Sequence, residues 1–301
     1  MTTDAEPRVG ATNPAAASTD TAHPAGTDVR LAASHVSLAY ANARVVHDLS
    51  LEVPPGAFTA IVGPNGCGKS TLLRALARLH KPQVGTVTLD GADIHTLHTR
   101  DVAREVGLLP QSPHAPAGIT VRDLIARGRT PHLGPFSAWS QADADAVAEA
   151  IAATGLAGLA ERSVDSLSGG QRQRAWIALA LAQQTGMLLL DEPTTFLDIA
   201  HQYEVLDLVH RLAQTGRTVV AVLHDLAQAA RYADHVVLMS AGLVVAAGPP
   251  AEVLTAGRVG AAFGLRVTIV PDPVTGTPLI VPTSAPGGAD LTPNDPLERT
   301  R

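Results

Sequence analysis

The eight residues from Gly63 to Ser70 constrain the fold of this chain more than any other segment. They fit the pattern G-x-x-x-x-G-K-[ST] and stand between a strand-like run, Phe58–Val62, and a helical run, Ser70–Leu79. Such a turn lets backbone N–H groups surround phosphate oxygens, and the positive end of the helix adds attraction. The segment therefore predicts a nucleotide-binding α/β chain. The candidate phosphate-binding residues are Gly63, Pro64, Asn65, Gly66, Cys67, Gly68, Lys69, Ser70 and Thr71.

Strand-like and helix-like runs alternate along the middle of the chain, which favours an α/β core with a largely parallel sheet. Three apolar runs, Phe58–Val62, Met187–Leu190 and Thr218–Leu223, have the composition of strands buried on both faces. Because ligands of such sheets bind beyond the carboxyl ends of the strands, the residues that follow these runs should converge on one site.

Polar side chains follow two of these strands. Asp191 and Glu192 come directly after Met187–Leu190, and His224 follows the run that ends at Leu223. An aspartate at this place suits Mg²⁺, whereas the adjacent glutamate can polarise an attacking water. His224 is expected to bond the γ-phosphate or to orient the water and Glu192. Lys69 is expected to reach the outer phosphates and Ser70 to offer its hydroxyl to Mg²⁺. Other histidines, His114, His201 and His210 among them, are interpreted as solvated side chains.

The ends of the chain and its overall charge limit the possible partners. Residues 1–28 and 283–301 are rich in Pro, Ala, Gly and polar residues and are predicted to be disordered tails. The formal net charge of -6 argues against nucleic acid as a partner. Neither a secretory signal nor an apolar run long enough to span a bilayer is found, so the chain is expected in the cytosol. The single cysteine, Cys67, is interpreted as a loop residue without a redox role.

A second segment, Leu167-Ser168-Gly169-Gly170-Gln171, is the most discriminating one. With it, the chain resembles the ATP-binding subunits of ABC transporters over roughly residues 30–282. The resemblance implies a P-loop NTPase of the ABC ATPase type. That fold has a RecA-like parallel-sheet core, an antiparallel β subdomain and a helical subdomain inserted at about residues 111–175. The ATP-binding domain is assigned to residues 29–282.

The resemblance also implies roles for single residues. Tyr40 is similar to the aromatic residue that stacks on adenine, and Gln111 to the glutamine that touches Mg²⁺ and links the core to the helical region. Asp198 resembles the aspartate at the dimer interface. The expected Mg²⁺ ligands are Ser70, Gln111 and Asp191; the expected catalytic residues are Lys69, Glu192 and His224.

In the family, the LSGGQ segment binds the γ-phosphate of ATP held by the opposing subunit. The resemblance therefore implies a head-to-tail homodimer, or a pair with a like subunit, that encloses two ATP molecules. Two transmembrane permease subunits and, indirectly, an extracytoplasmic substrate-binding protein are the further partners. The subunit would then lie on the cytoplasmic face of the cell membrane, with its coupling surface near Gln111–Thr130.

Three stretches resemble the iron-chelate importer branch of this family, namely Gly128–His132, Glu192–Gln202 and His224–Leu226. Ferric siderophores are the expected cargo, and haem and cobalamin are the alternatives, since none of these residues touches the cargo. A soluble ABC ATPase in DNA repair or translation is a rival from another class. The single nucleotide domain, the compact helical insertion and the acidic charge disfavour that rival. A nucleotide kinase would leave Leu167–Gln171 unexplained.

Overall fold

A computed structural model describes residues 30–40, 43–134 and 138–283 of the chain. The predicted tail at residues 1–28 lies outside the described residues, as does the predicted C-terminal tail except for Thr283.

Strands and helices alternate along these residues. The strands are β1 Leu31–Tyr40, β2 Ala43–Val53, β3 Phe58–Val62, β4 Val84–Leu89, β5 Ala92–Asp93, β6 Val106–Leu109, β7 Met187–Asp191, β8 Thr218–Val222, β9 His235–Ser240, β10 Leu243–Gly248, β11 Val267–Pro271 and β12 Pro278–Pro282. The helices are α1 Lys69–Leu76, α2 Thr99–Glu105, α3 Val121–Ala126, α4 Gln141–Ala153, α5 Gly169–Ala182, α6 Ile199–Gln214, α7 Leu226–Tyr232, α8 Pro250–Val253 and α9 Ala256–Phe263.

The central sheet has the strand order β10-β9-β3-β8-β7-β6. The neighbouring pairs from β9 to β6 are parallel, whereas β10 runs antiparallel to its neighbour. The carboxyl ends of β3, β8, β7 and β6 therefore lie side by side at one edge. The predicted α/β class with a parallel-sheet core is confirmed.

The strands β3, β7 and β8 are buried at every position, which explains their continuous apolar composition. Their side chains alternate between two hydrophobic cores because successive residues of a strand point to opposite faces. In β3, Phe58, Ala60 and Val62 pack into one core with the inserted helices, whereas Ile61 packs into the other beneath the antiparallel sheet. Both faces of the sheet are thus covered.

The two predicted additions to the core are present. A four-stranded antiparallel sheet, in the order β2-β1-β4-β5, covers α1. The helices α3, α4 and α5 form the inserted helical unit on the opposite side. Within this unit, α4 is followed by a 3₁₀ turn, Ala157–Leu159. The proposed subdomain boundary at residue 175 falls inside α5, which continues to Ala182.

Arg129 has a structural role in the helical unit. It belongs to Gly128–His132, one of the stretches that resemble the iron-chelate importer branch. Its Nε donates to Oδ1 of Asp143 in α4 at 2.9 Å, and its guanidinium donates to the Ala182 carbonyl at 2.7 Å. The two charged side chains are only 6% and 8% exposed. The pKa of Asp143 is lowered to about 2, chiefly by hydrogen bonds from Ser140 and then by Arg129. This buried pair joins α4 to the end of α5.

Near the C-terminus, β11 and β12 pair with each other as an antiparallel hairpin. Strand β12 packs against α7, the helix that follows His224. The described residues contain no helix whose length and apolar content would let it cross a bilayer.

Candidate functional site

The carboxyl ends of the parallel strands surround an open cleft of about 420 Å³. Loops after β3, β6, β7 and β8 supply most of its walls, as the strand order requires. The lining residues are Val45, Asn65, Gly66, Gly68, Lys69, Ser70, Thr71, Gln111, Glu192 and His224. Nine of these were predicted from the sequence, and Val45 of β2 was not.

Two glycines allow the loop between β3 and α1 to pack closely. Gly63 has φ 150°, and a Cβ atom there would lie 2.1 Å from the carbonyl oxygen of Met239 in β9. Gly68 has φ 103°, and its Cβ would lie 2.9 Å from Cγ2 of Val46. Any other residue at either position would collide with the neighbouring strand and would adopt a strained backbone.

Lys69 is almost completely buried and folds back across this loop. Its Nζ donates to the carbonyl oxygens of Gly63 and Pro64, at 2.9 and 3.0 Å. Gly63 and Pro64 are not among the residues that line the cleft. Their carbonyl groups hold the ammonium group of Lys69 in place. No side chain of the described residues caps the N-terminus of α1, so the N–H groups of its first turn remain available to an anion.

Cys67 lies beneath the loop and is 4% exposed. Burial is the main cause that raises the pKa of its thiol, against the opposing effect of Lys69. A buried thiol with a raised pKa is poorly reactive. This environment agrees with the interpretation of Cys67 as a loop residue without a redox role.

Asp191 is a buried carboxylate with an unusual environment. Neither of its oxygens has a hydrogen-bond partner of normal geometry among the described residues, and the nearest cation, NH2 of Arg74, is 3.6 Å from Oδ2. Burial raises the pKa of Asp191, whereas the Ser70 hydroxyl and Arg74 oppose this rise. An unsatisfied buried acid is costly unless a ligand or a cation completes its contacts. Its position beside Ser70 suits a divalent cation.

Glu192 is held from three directions at the end of β7. His224 Nε2 lies 2.8 Å from Oε1, while Gln111 Nε2 and the Thr195 hydroxyl both donate to Oε2. Burial by itself raises the pKa of Glu192, but His224, Thr195 and Gln111 together outweigh burial and lower it. Glu192 has φ 55°, an uncommon value for a non-glycine residue that is often found at active sites. The site thus contains an oriented, charged carboxylate.

Tyr40 lies outside the residues that line the cleft and is 44% exposed. Its ring packs on the His80 imidazole with centroids 4.7 Å apart, and its hydroxyl accepts from Arg74 NH1 at 3.4 Å. Arg74 therefore links Tyr40 to Asp191. Arg74 and His80 were not predicted from the sequence, because only the packing of α1 and of the residues that follow it brings them close to Tyr40 and Asp191.

The segment Leu167–Gln171 begins α5. Ser168 is its N-cap and forms a capping box with Gln171: the hydroxyl accepts from the Gln171 N–H at 3.3 Å, and Gln171 Oε1 accepts from the Ser168 N–H at 3.1 Å. Leu167 is buried, whereas Ser168 and Gly169 are exposed. None of the five residues lines the cleft of its own chain.

Asp198 begins α6 next to this segment. Its Oδ1 accepts from the N–H of His201 at 2.9 Å and lies 2.6 Å from His201 Nδ1. His201 and His210, interpreted from the sequence as solvated, are only partly exposed, and Nδ1 of His210 lies 3.0 Å from the Tyr232 carbonyl. The helical spacing of Asp198 and His201 is the sequence signal that could have identified the first pair.

Comparisons with known proteins agree with this geometry. Residues 46–195 match the family model described as ABC transporter. The chain is 52% identical over 254 residues to the ferric enterobactin transport ATP-binding protein FepC of Escherichia coli strain K12, covering 84% of this chain and 94% of that protein. It is 50% identical over 248 residues to the probable siderophore transport system ATP-binding protein YusV of Bacillus subtilis strain 168, covering 82% and 90%.

Solved structures of ABC transporter proteins also match this chain. A transporter described as being of the metal-chelate type, in an inward-facing conformation, matches with a TM-score of 0.73 and 30% identity over 84% of this chain and 97% of that chain. The dimeric structure of MJ0796, a bacterial ABC transporter cassette, matches with a TM-score of 0.64 and 26% identity over 73% and 98%. The residues matched by the family model include Gly63–Ser70, Gln111, Leu167–Gln171 and Glu192.

Proposed function

This chain belongs to the ATP-binding subunits of ABC transporters, and from this premise we propose that it hydrolyses ATP to energise an importer of ferric siderophores. The observation that carries the ATPase assignment is the convergence of Lys69, Asp191, Glu192 and His224 at one edge of the sheet. The cargo is proposed because the chain is about half identical to relatives named for ferric enterobactin and siderophore transport. The ATP-binding domain is proposed to span residues 29–282.

The phosphates of ATP bind at the loop between β3 and α1. Backbone N–H groups of the loop and of the first turn of α1 point toward them, and Lys69 supplies a positive charge. Tyr40 is proposed to stack on the adenine, since its ring lies at the antiparallel-sheet side of the loop and is partly exposed. Asn65, Ser70 and Thr71 also line the cleft and are proposed to contact the bound nucleotide or its metal ion.

The residues around Asp191 fit a magnesium ion. Asp191 has two buried oxygens without hydrogen bonds, and the Ser70 hydroxyl and the Gln111 amide are the neutral oxygen ligands proposed beside it. A single carboxylate with neutral oxygens beside it suits Mg²⁺, which usually takes one or two carboxylates and completes its shell with water and phosphates. When bound, Mg²⁺ neutralises charge on the phosphate oxygens.

Glu192 is proposed to position the attacking water. Its lowered pKa keeps it charged and therefore able to accept a hydrogen bond from water. Phosphoryl transfer needs orientation of the water more than complete removal of its proton in the transition state. His224 and Gln111 hold the two carboxylate oxygens, so the orientation of Glu192 is already determined before ATP arrives. Lys69 stabilises the charge that develops on the γ-phosphate.

The complete site is proposed to need a second copy of the chain, or a like subunit, arranged head to tail. Leu167–Gln171 does not line its own cleft, while Ser168 and Gly169 are open to a partner. Two large apolar side chains beside Asp198, Phe196 and Ile199, are 92% and 72% exposed. Exposed apolar groups of this size indicate an interaction surface. A monomer is accordingly expected to hydrolyse ATP poorly.

The further partners are two transmembrane permease subunits, which the ATPase pair contacts from the cytoplasmic face of the membrane. An extracytoplasmic protein is proposed to bind the cargo and deliver it to the permease. Gain and loss of contacts to the γ-phosphate supply the differential binding that opens and closes the pair of ATPase subunits.

Uptake assays test the cargo directly. A strain without this chain should lose uptake of radioactive ferric siderophore, and the parental chain should restore it, whereas the Glu192→Gln variant should not. Unchanged iron uptake with lost uptake of cobalamin or of haem would contradict the siderophore proposal. A permease should also co-purify with the chain in detergent; ribosomes or DNA in its place would support a soluble ABC ATPase.

A further inference from the structure

The first turn of α6 carries two side chains, His201 and Gln202, that reach different neighbours. Both follow Asp198, the residue proposed to lie at the dimer interface. The proposed ATP cycle uses neither of them. His201 contacts the start of α5, and Gln202 contacts α7.

His201 holds the carboxylate of Asp198. The distance from Nδ1 to Oδ1 is 2.6 Å, and the same oxygen accepts the backbone N–H of His201. Since a carboxylate only accepts hydrogen bonds, Nδ1 carries the proton in this contact. The Asp198 side chain is 65% exposed, so this contact and the helix cap are what restrict its rotamer.

The other side of His201 lies directly against Gly170. A Cβ atom on Gly170 would be 2.2 Å from Cδ2 of His201 and 2.6 Å from Cγ. The imidazole therefore packs directly on the backbone of Leu167–Gln171. The start of α5 cannot shift toward α6 unless this ring moves.

Gln202 anchors the turn from which His201 acts. Its Nε2 donates to the Leu197 carbonyl at 3.0 Å, and its Oε1 accepts from Gln228 Nε2 at 2.7 Å. Gln228 is 5% exposed and lies in α7, whose N-cap Asp225 directly follows His224. The first turn of α6 is thus fixed to the helix behind the catalytic histidine.

We propose that His201 is a positioning residue that joins Asp198 to Leu167–Gln171 of the same chain, so that both elements meet the partner subunit as one rigid unit. This proposal rests on the proposed ATP-enclosing dimer. Two elements that must engage a partner together bind it more tightly when their spacing is set beforehand, because less ordering is required on association. His201 acts through its neighbours and is proposed to contact neither ATP nor the attacking water.

The test uses the full-length chain carrying Glu192→Gln, which is expected to retain ATP and to dimerise. The ATP concentration for half-maximal dimerisation is measured by sedimentation for this parent and after adding His201→Ala, His201→Asn or His201→Phe. Alanine should raise that concentration roughly tenfold, since it removes a hydrogen bond to a charged group as well as the ring contact. Asparagine keeps a donor for Asp198 and phenylalanine keeps a ring against Gly170, so each should restore part of the loss.

His210→Ala is the matched control, because His210 lies in the same helix and bonds a carbonyl through Nδ1 but contacts α7. It should leave dimerisation unchanged. ATP binding by the dilute, monomeric His201 variants should also equal that of the parent. If the parent dimerises and every His201 variant matches it, this proposal alone is overturned, and lower thermal stability with an unchanged dimerisation midpoint overturns it as well. A parent that stays monomeric in ATP overturns the enclosing dimer and this proposal with it.

Discussion

The Nε2 atom of His224 lies 2.8 Å from Oε1 of Glu192, and this contact joins the ends of the neighbouring strands β8 and β7. Gln111, which follows β6, holds the other carboxylate oxygen. Three adjacent strands therefore orient one acid. Because the loops that carry these residues are attached to buried strands, the orientation belongs to the rigid part of the fold.

Replacing Glu192 by glutamine should separate ATP binding from hydrolysis. Glutamine keeps the size of the side chain but removes the charge that orients the water, so kcat should fall by about 10²- to 10⁴-fold. Binding of a fluorescent ATP analogue should be preserved, because Glu192 is not proposed to hold the phosphates. Phosphate release by the assembled transporter measures the first effect, and hydrolysis at the parental rate would show that another residue positions the water.

Replacing Lys69 by alanine should impair ATP binding as well as hydrolysis. The buried ammonium group is held above the loop by the Gly63 and Pro64 carbonyls and is the main positive charge in the cleft. Its loss should weaken ATP binding and reduce turnover by at least about 10²-fold, by analogy with the removal of one donor from a transition-state site. Calorimetric titration with ATP checks the binding, and unchanged affinity would place the phosphates elsewhere.

Ser168→Arg should block dimerisation while leaving ATP binding by the isolated subunit intact. Ser168 is exposed and does not line its own cleft, so an arginine there obstructs only the partner's site. The loss of the N-cap should cost about 1 kcal/mol of stability. Ser140→Arg is the matched control, because Ser140 also forms a capping box but begins α4. Loss of ATP binding by monomeric Ser168→Arg would contradict the assignment of this residue to the other subunit.

Tyr40 and His80 should affect the affinity for ATP more than the rate. If Tyr40 stacks on the adenine as proposed, Tyr40→Ala removes a contact worth about 1–3 kcal/mol, so the KM for ATP should rise roughly 5- to 150-fold. His80→Ala leaves Tyr40 in place but removes the ring that supports it, worth about 0.5–1.5 kcal/mol, so the rise should be roughly 2- to 10-fold. Steady-state kinetics should show little change in kcat. An unchanged KM for ATP after Tyr40→Ala would show that Tyr40 does not stack on the adenine.

Asp143, which accepts hydrogen bonds from Ser140 and Arg129, should make stability depend on pH in the acidic range. The pKa of Asp143, lowered to about 2, lies below its value of about 3.9 in an unfolded chain, so the charged form stabilises the folded state. This contribution is complete above about pH 4 and is lost as the pH falls toward 2. The difference in urea midpoint between the parent and Asp143→Asn should therefore shrink over that interval. A difference in urea midpoint that is constant from pH 6 to pH 3 would show that the charge of Asp143 does not stabilise the folded state.

Local features explain why much of the fold and the site could be predicted. The strand, loop and helix around Gly63–Ser70 are contiguous, and so are the buried strand β7 and its acids. The capping residues of α5 lie within Leu167–Gln171 itself. The helix α5 continues beyond its motif to Ala182, because its apolar positions pack against the central sheet.

The sequence by itself determined which residues could serve the chemistry. The local geometry of Gly63–Ser70, of the two acids after β7 and of the capped start of α5 depends on neighbours in the chain. Only the tertiary structure decided which side chains meet. Arg74 joins Tyr40 to Asp191, and His201 of α6 packs on Gly170 of α5, through contacts across separate elements. Hydrophobic periodicity states which face of an element is buried but does not state what packs against it. The order of the strands and the packing of α5 on α6 supply that information.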